Sequence, residues 1–155
     1  MMTDEQRFLF DLQGYLVVPE VLDPATVERM RAEMDARGVD PPEENSDAYR
    51  FGDYFRWGDE FRRLIDHPAL LPILTELLGP RFRLDHAYGM ATRPKPTVTA
   101  AEASPVHTLH HTAGYFENAC CYVTHGQRIH NGLVTVSYAL TDIAPGAGGF
   151  CGSRS

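Results

Sequence analysis

The sequence predicts an α+β fold, with a helix-rich layer over residues 1–80 and antiparallel strands over residues 81–155. Three observations predict it. Apolar residues recur at helical spacing between caps in the first half, β-branched alternation takes over in the second, and glycine turns follow the strongest strand pattern. At 155 residues, 43% of them hydrophobic and 23% charged, the chain has enough material for one core, so residues 1–155 are read as a single domain.

Each element has its own local cause. Thr3 is a helix cap ahead of Phe8, Leu9 and Leu12, and Gly14 ends that helix. Tyr15 to Val18 then has strand character up to Pro19. Asp23-Pro24 supplies an N-cap and a first-turn proline, Val27, Met30 and Met34 keep helical spacing, and Gly38 stands where a C′ glycine belongs. After a polar loop, Pro41 to Ser46, the aromatic residues Tyr49, Phe51, Tyr54, Phe55, Trp57 and Phe61 are read as a seal between the helical layer and the sheet. His67-Pro68 opens a leucine-rich helix with core-facing apolar positions, which Gly79-Pro80 closes. Arg83 to Met90 reads as a strand, and Leu133 to Leu140 alternates most strongly of all. The run Gly146 to Gly149 lacks the lysine and helix of a phosphate-binding loop and reads as a turn. Helices first and antiparallel strands after them is the order of a jelly-roll or cupin-like sheet.

Charge narrows the partners. Twenty-one acidic against 14 basic residues give a net charge of −7, which repels phosphate backbones and anionic lipid surfaces, so neither nucleic acid nor membrane is expected. No leader-like segment opens the chain, and no run of about 18 apolar residues occurs. A cytoplasmic protein is the expectation. Cys120, Cys121 and Cys151 lack C-x-x-C spacing and read as reduced, mostly buried thiols.

Chemistry concentrates at His107-Thr108-Leu109-His110-His111-Thr112. In an extended segment His110 and Thr112 share one face, while His107, Leu109 and His111 share the other. In a helical turn capped at Ser104, His107 and His111 stand one turn apart, as a zinc clamp requires. The glutamate that a zinc-protease helix carries after its first histidine is here Thr108. Both geometries are open on spacing alone, as is a purely structural cluster of imidazoles. Asp85-His86 on the preceding strand is a further candidate for lining a site. Asp142 reads as a strand end or turn former.

The succession Phe82-Arg83-Leu84-Asp85-His86, Leu109-His110, Asn131-Gly132-Leu133, Tyr138 to Asp142 and Gly148-Gly149-Phe150 resembles the phytanoyl-CoA dioxygenase family. Asp11 to Val18, with Leu22 and the helix at Val27, is similar to that family's opening, so the resemblance covers nearly the whole chain. It implies a double-stranded β-helix behind N-terminal helices. It also implies iron(II), 2-oxoglutarate and dioxygen as reactants, with hydroxylation of an unactivated carbon as the outcome. His110 falls at the family's first metal histidine and Thr112 at its carboxylate. Such sites hold iron with two histidines and a carboxylate and leave positions open for the keto acid and dioxygen. A threonine hydroxyl is neutral and a weak ligand.

In the family, the second metal histidine and the arginine that pairs with 2-oxoglutarate lie well beyond the glycine turn. Directly after that turn the family has a Pro-Gly-Ser-His-type segment, which Cys151 to Ser155 only faintly echoes. The expectation is therefore a C-terminally truncated chain with an incomplete barrel, inactive as it stands, whose bare strand edges favour self-association. The alternative is a non-catalytic cupin-like remnant or binding module.

Overall fold

The computed structural model describes residues 1–39, 48–92, 120, 122–126 and 128–143. Helix α1, Asp4–Gln13, begins where the sequence says it should. The Thr3 side chain accepts from the Gln6 backbone N–H and the Gln6 side chain accepts from the Thr3 N–H, a reciprocal capping box. Gly14 ends the helix at φ 78°, a left-handed conformation that costs glycine little. Helix α2, Pro24–Ala36, has Asp23 as its N-cap, accepting from the Thr26 N–H at 2.9 Å, and Gly38 follows it at φ 66°. Both helices thus follow from caps written locally in the chain.

The described strands form two separate two-stranded antiparallel sheets. Strand β1, Ala48–Phe51, pairs with β2, Gly89–Thr92, in the register Tyr49↔Ala91, Arg50↔Met90, Phe51↔Gly89. Strand β3, Tyr122–His125, turns at Gly126 and returns as β4, Arg128–Asn131. Between β1 and β2 lie a 3₁₀ turn at Tyr54–Arg56, a short helix α3 at Asp59–Arg62, and α4 at Leu71–Leu78. The α+β class is therefore observed, and among the described residues the strands do not close into a barrel.

Three sequence expectations are corrected. Tyr15 to Val18 forms no strand, and Tyr15 and Val17 are exposed. Of Arg83 to Met90 only the last two residues enter β2. Leu133 to Leu140 carries no assigned strand despite its alternation, since a strand exists only where a neighbour accepts its backbone hydrogen bonds, and pattern alone supplies no neighbour. The leucine-rich helix also differs in detail. A turn occupies 68–70 before α4 begins at Leu71, and only Leu70 is fully buried, the other apolar positions being half-covered.

The core joins the helices to this scaffold through Met2, Phe10, Met30, Val39, Phe61 and Leu70. Met30 is 1% exposed, and burying a side chain of that size stabilises by about 1.5–3 kcal/mol. Aromatic packing matches the expected seal. Phe51 stacks on Trp57 at 5.3 Å between centroids, Trp57 meets Phe61 edge-on at 5.4 Å, and the Arg37 guanidinium covers Trp57 at 5.0 Å. The end of α2, strand β1 and helix α3 are tied together by these contacts.

Candidate functional site

Strand alternation divides the β1–β2 pair into two unlike faces. Register partners Phe51 and Gly89, with Tyr49 and Ala91, lie on the face that Phe51 joins to Trp57 and so to the helical layer. Arg50 and Met90 lie on the opposite face. In the unassigned segment leading into β2, Tyr88, His86 and Leu84 are exposed.

On this outer face the polar side chains form a ladder. The imidazole of His86 stacks on the phenol of Tyr88, with centroids 5.7 Å apart and planes 2° from parallel. The Arg50 guanidinium lies 3.7 Å from the same Tyr88 ring. Arg50 pairs with Met90, two residues on from Tyr88, so it reaches the phenol as a diagonal cross-strand neighbour. His86 Nδ1 stands 2.7 Å from Asp85 Oδ2. A carboxylate only accepts, so in this contact the Nδ1 nitrogen is the one that carries a proton.

The expected Asp85-His86 pair is thus a joined unit on the face turned away from the helices. Its partners Arg50 and Tyr88 were not singled out from sequence. Alternation of Leu84, His86, Tyr88 and Met90 is a usable signal for the tyrosine, whereas the arginine requires knowledge of the β1–β2 register. Asp142 is exposed and outside any strand, in keeping with a turn role. His107, His110, His111 and Thr112 lie outside the described residues, as do Cys121, Cys151 and the Gly146–Gly149 turn. Cys120 is a free, half-buried thiol. Among the described residues no group of three His, Cys, Asp or Glu side chains is placed to hold a metal ion, and no helix is long and apolar enough to cross a membrane.

A second polar junction sits where the 133–143 segment meets the helices. The Tyr138 hydroxyl donates to the Leu64 carbonyl at 2.8 Å, and burial pushes its phenol up to about 12, helped by Tyr54 and Asp66 nearby. Asn131 at the end of β4 donates to the Leu77 carbonyl of α4 at 3.2 Å. These bonds fasten the later strands to the helical layer and offer no exposed reactive atom.

Comparison with known proteins gives one family. The model described as Phytanoyl-CoA dioxygenase (PhyH) matches residues 10–152. Among solved structures, the crystal structure of HygX from Streptomyces hygroscopicus with nickel and 2-oxoglutarate bound is similar at a TM-score of 0.58 and 21% identity. The match covers 84% of this chain and 51% of that one, so the chain spans about half the length of HygX. At that identity the likeness is one of fold. No curated protein matches.

Proposed function

The chain belongs to the phytanoyl-CoA dioxygenase family, and from that premise we propose that it is the front portion of a non-haem iron(II)- and 2-oxoglutarate-dependent dioxygenase domain that hydroxylates a small organic or acyl substrate. Iron(II) and 2-oxoglutarate are the cofactor and cosubstrate that go with this family. The match over residues 10–152 carries the reading, because it spans both the helical layer and the strands. A jelly-roll sheet completed around the outer face of β1 and β2 is the architecture that goes with it. The nickel and 2-oxoglutarate bound in HygX suit the same reading.

The donor set available at the family positions does not fit a complete metal centre. His110 offers an imidazole, but Thr112 offers a neutral hydroxyl where a carboxylate belongs. No catalytic step is therefore routed through iron in these 155 residues, and the chain by itself is read as inactive. That same threonine favours a second reading, a non-catalytic cupin-like binding module.

Iron(II) titration of the 155-residue chain and two variants separates the readings. His110→Ala abolishes the residual iron binding expected of an oxygenase lineage, while His111→Ala leaves it in place. Equal loss from both changes overturns the assignment of His110. Under anaerobic conditions iron(II) with 2-oxoglutarate gives no visible charge-transfer band in this chain, and the appearance of that band refutes its inactivity.

A further inference from the structure

The ladder on the outer face of β1 and β2 has the makings of a ligand subsite. Its guanidinium lies over the Tyr88 ring at 3.7 Å from the centroid, a cation–π contact that holds the fork in place. Among the described residues Arg50 makes no ion pair, and of the arginines without one it is the one that lies over an aromatic ring. Next to it His86 is oriented twice, by the stack on Tyr88 and by Asp85. Apolar side chains are exposed beside it, Met90 at 55% opposite Arg50 in the register and Leu84 at 51% two residues before His86.

We propose that Arg50, Tyr88 and His86 form a recognition subsite for an organic carboxylate bearing an apolar chain. The guanidinium fork takes the carboxylate, the Tyr88 ring with His86 stacked on it backs the fork, and Leu84 and Met90 receive the chain. Charge complementarity selects the anion, since a planar fork matches two carboxylate oxygens at once. The flanking side chains select against small anions, because burying a methylene contributes favourable transfer energy that an acetate cannot supply. Its service as a substrate subsite rests on the oxygenase reading. The binding chemistry itself does not.

Octanoate is the probe, added to the metal-free 155-residue chain with ¹³C-labelled histidine, and the His86 ring resonance is followed by NMR after assignment with His86→Gln. Octanoate shifts that resonance saturably, and Arg50→Gln weakens binding by about tenfold or more, the loss expected for a charge-assisted bidentate pair. Acetate, which lacks the chain, and octanol, which lacks the charge, each bind at least about tenfold more weakly. Should Arg50→Gln lose its far-UV circular dichroism, Arg50→Lys decides, keeping the charge while losing the planar fork, and it weakens binding about threefold or more. An unmoved His86 signal overturns the subsite, as does native affinity in the deciding arginine variant, or acetate or octanol binding as tightly as octanoate. Iron and 2-oxoglutarate take no part in the titration. Failure here consequently leaves the lineage standing, and failure of the His110 test leaves the subsite standing.

Discussion

The ring of Phe51 occupies the space in which a side chain on Gly89, its register partner across β1 and β2, would have to stand. The glycine is thus required by a neighbour rather than by its own backbone angles. Gly89→Ala forces the ring off its stack with Trp57 and is expected to destabilise the fold by about 1–3 kcal/mol, the usual cost of overpacking. Gly52→Ala is the control, since a Cβ there meets nothing within 4 Å. Urea titrations followed by the fluorescence of Trp57, the single tryptophan, check this. Equal midpoints for the two variants would refute the role given to Phe51.

Glu76 ties the N-terminus to α4. Its carboxylate accepts from both Nε and a terminal nitrogen of Arg7 and, at 2.8 Å, from the Met2 backbone N–H. The Arg7 hydrogen bond first, and then the Met2 bond, hold the carboxyl below its ordinary value of 4.5. A depressed folded-state value means stability that is present above the ordinary value and lost as pH falls below it toward the folded one. Glu76→Gln should therefore flatten the acid limb of stability against pH, measured by urea midpoints between roughly pH 6 and pH 2. Because the ion pair is partly exposed, added salt should narrow the difference between the two proteins. An acid limb identical in both would show that the carboxylate contributes nothing.

How much of this was legible depends on whether the cause was local. The Thr3–Gln6 capping box, Gly14, the Asp23-Pro24 start of α2 and Gly38 all act within a few residues, and each is where the sequence puts it. Strand pairing is not local. Leu133 to Leu140 has the best alternation and no assigned strand, while the four residues Ala48–Phe51, read only as an aromatic region, find Gly89–Thr92 as a partner. The candidate site divides in the same way. Asp85 and His86 were visible as neighbours in sequence, but Arg50 joins them only through the register that brings it diagonally onto Tyr88. For His110 and Thr112, which lie outside the described residues, motif order and the family match are what speak.

Tyr138 gives the alkaline counterpart of Glu76. Its phenol is raised from 10.0 to about 12, chiefly by burial, and it donates to the Leu64 carbonyl. A raised folded-state value favours the protonated form, so the stabilisation is complete below the ordinary value near 10 and is lost as pH climbs through about 12. Tyr138→Phe removes this alkaline dependence and costs about 1 kcal/mol at neutral pH for the lost hydrogen bond. Ultraviolet titration of the phenolates together with denaturation midpoints tests both parts. If Tyr138→Phe keeps the native alkaline limb, another group is responsible for it.

The strongest prediction concerns the position two residues after His110. If the segment is an extended strand with His110 as a metal ligand, the side chain at 112 lies on the same face and a carboxylate there can join the same ion. Thr112→Asp then supplies a charged oxygen donor in place of a neutral one, and iron(II) affinity should rise at least about tenfold, which corresponds to 1.4 kcal/mol. Adding Asp at position 113, by Ala113→Asp, raises the local negative charge equally but places it on the opposite face of such a strand, with His107 and His111. It serves only as a control for charge, and the gain should fall well short of that from Thr112→Asp. In the combined variant Thr112→Asp with His110→Ala the gain should disappear, because the new carboxylate acts through the shared ion. Isothermal titration with iron(II) under anaerobic conditions reads all of these. A gain that survives loss of the histidine, or that Ala113→Asp reproduces, would mean that the added charge attracts metal non-specifically and that Thr112 does not stand in the carboxylate's place.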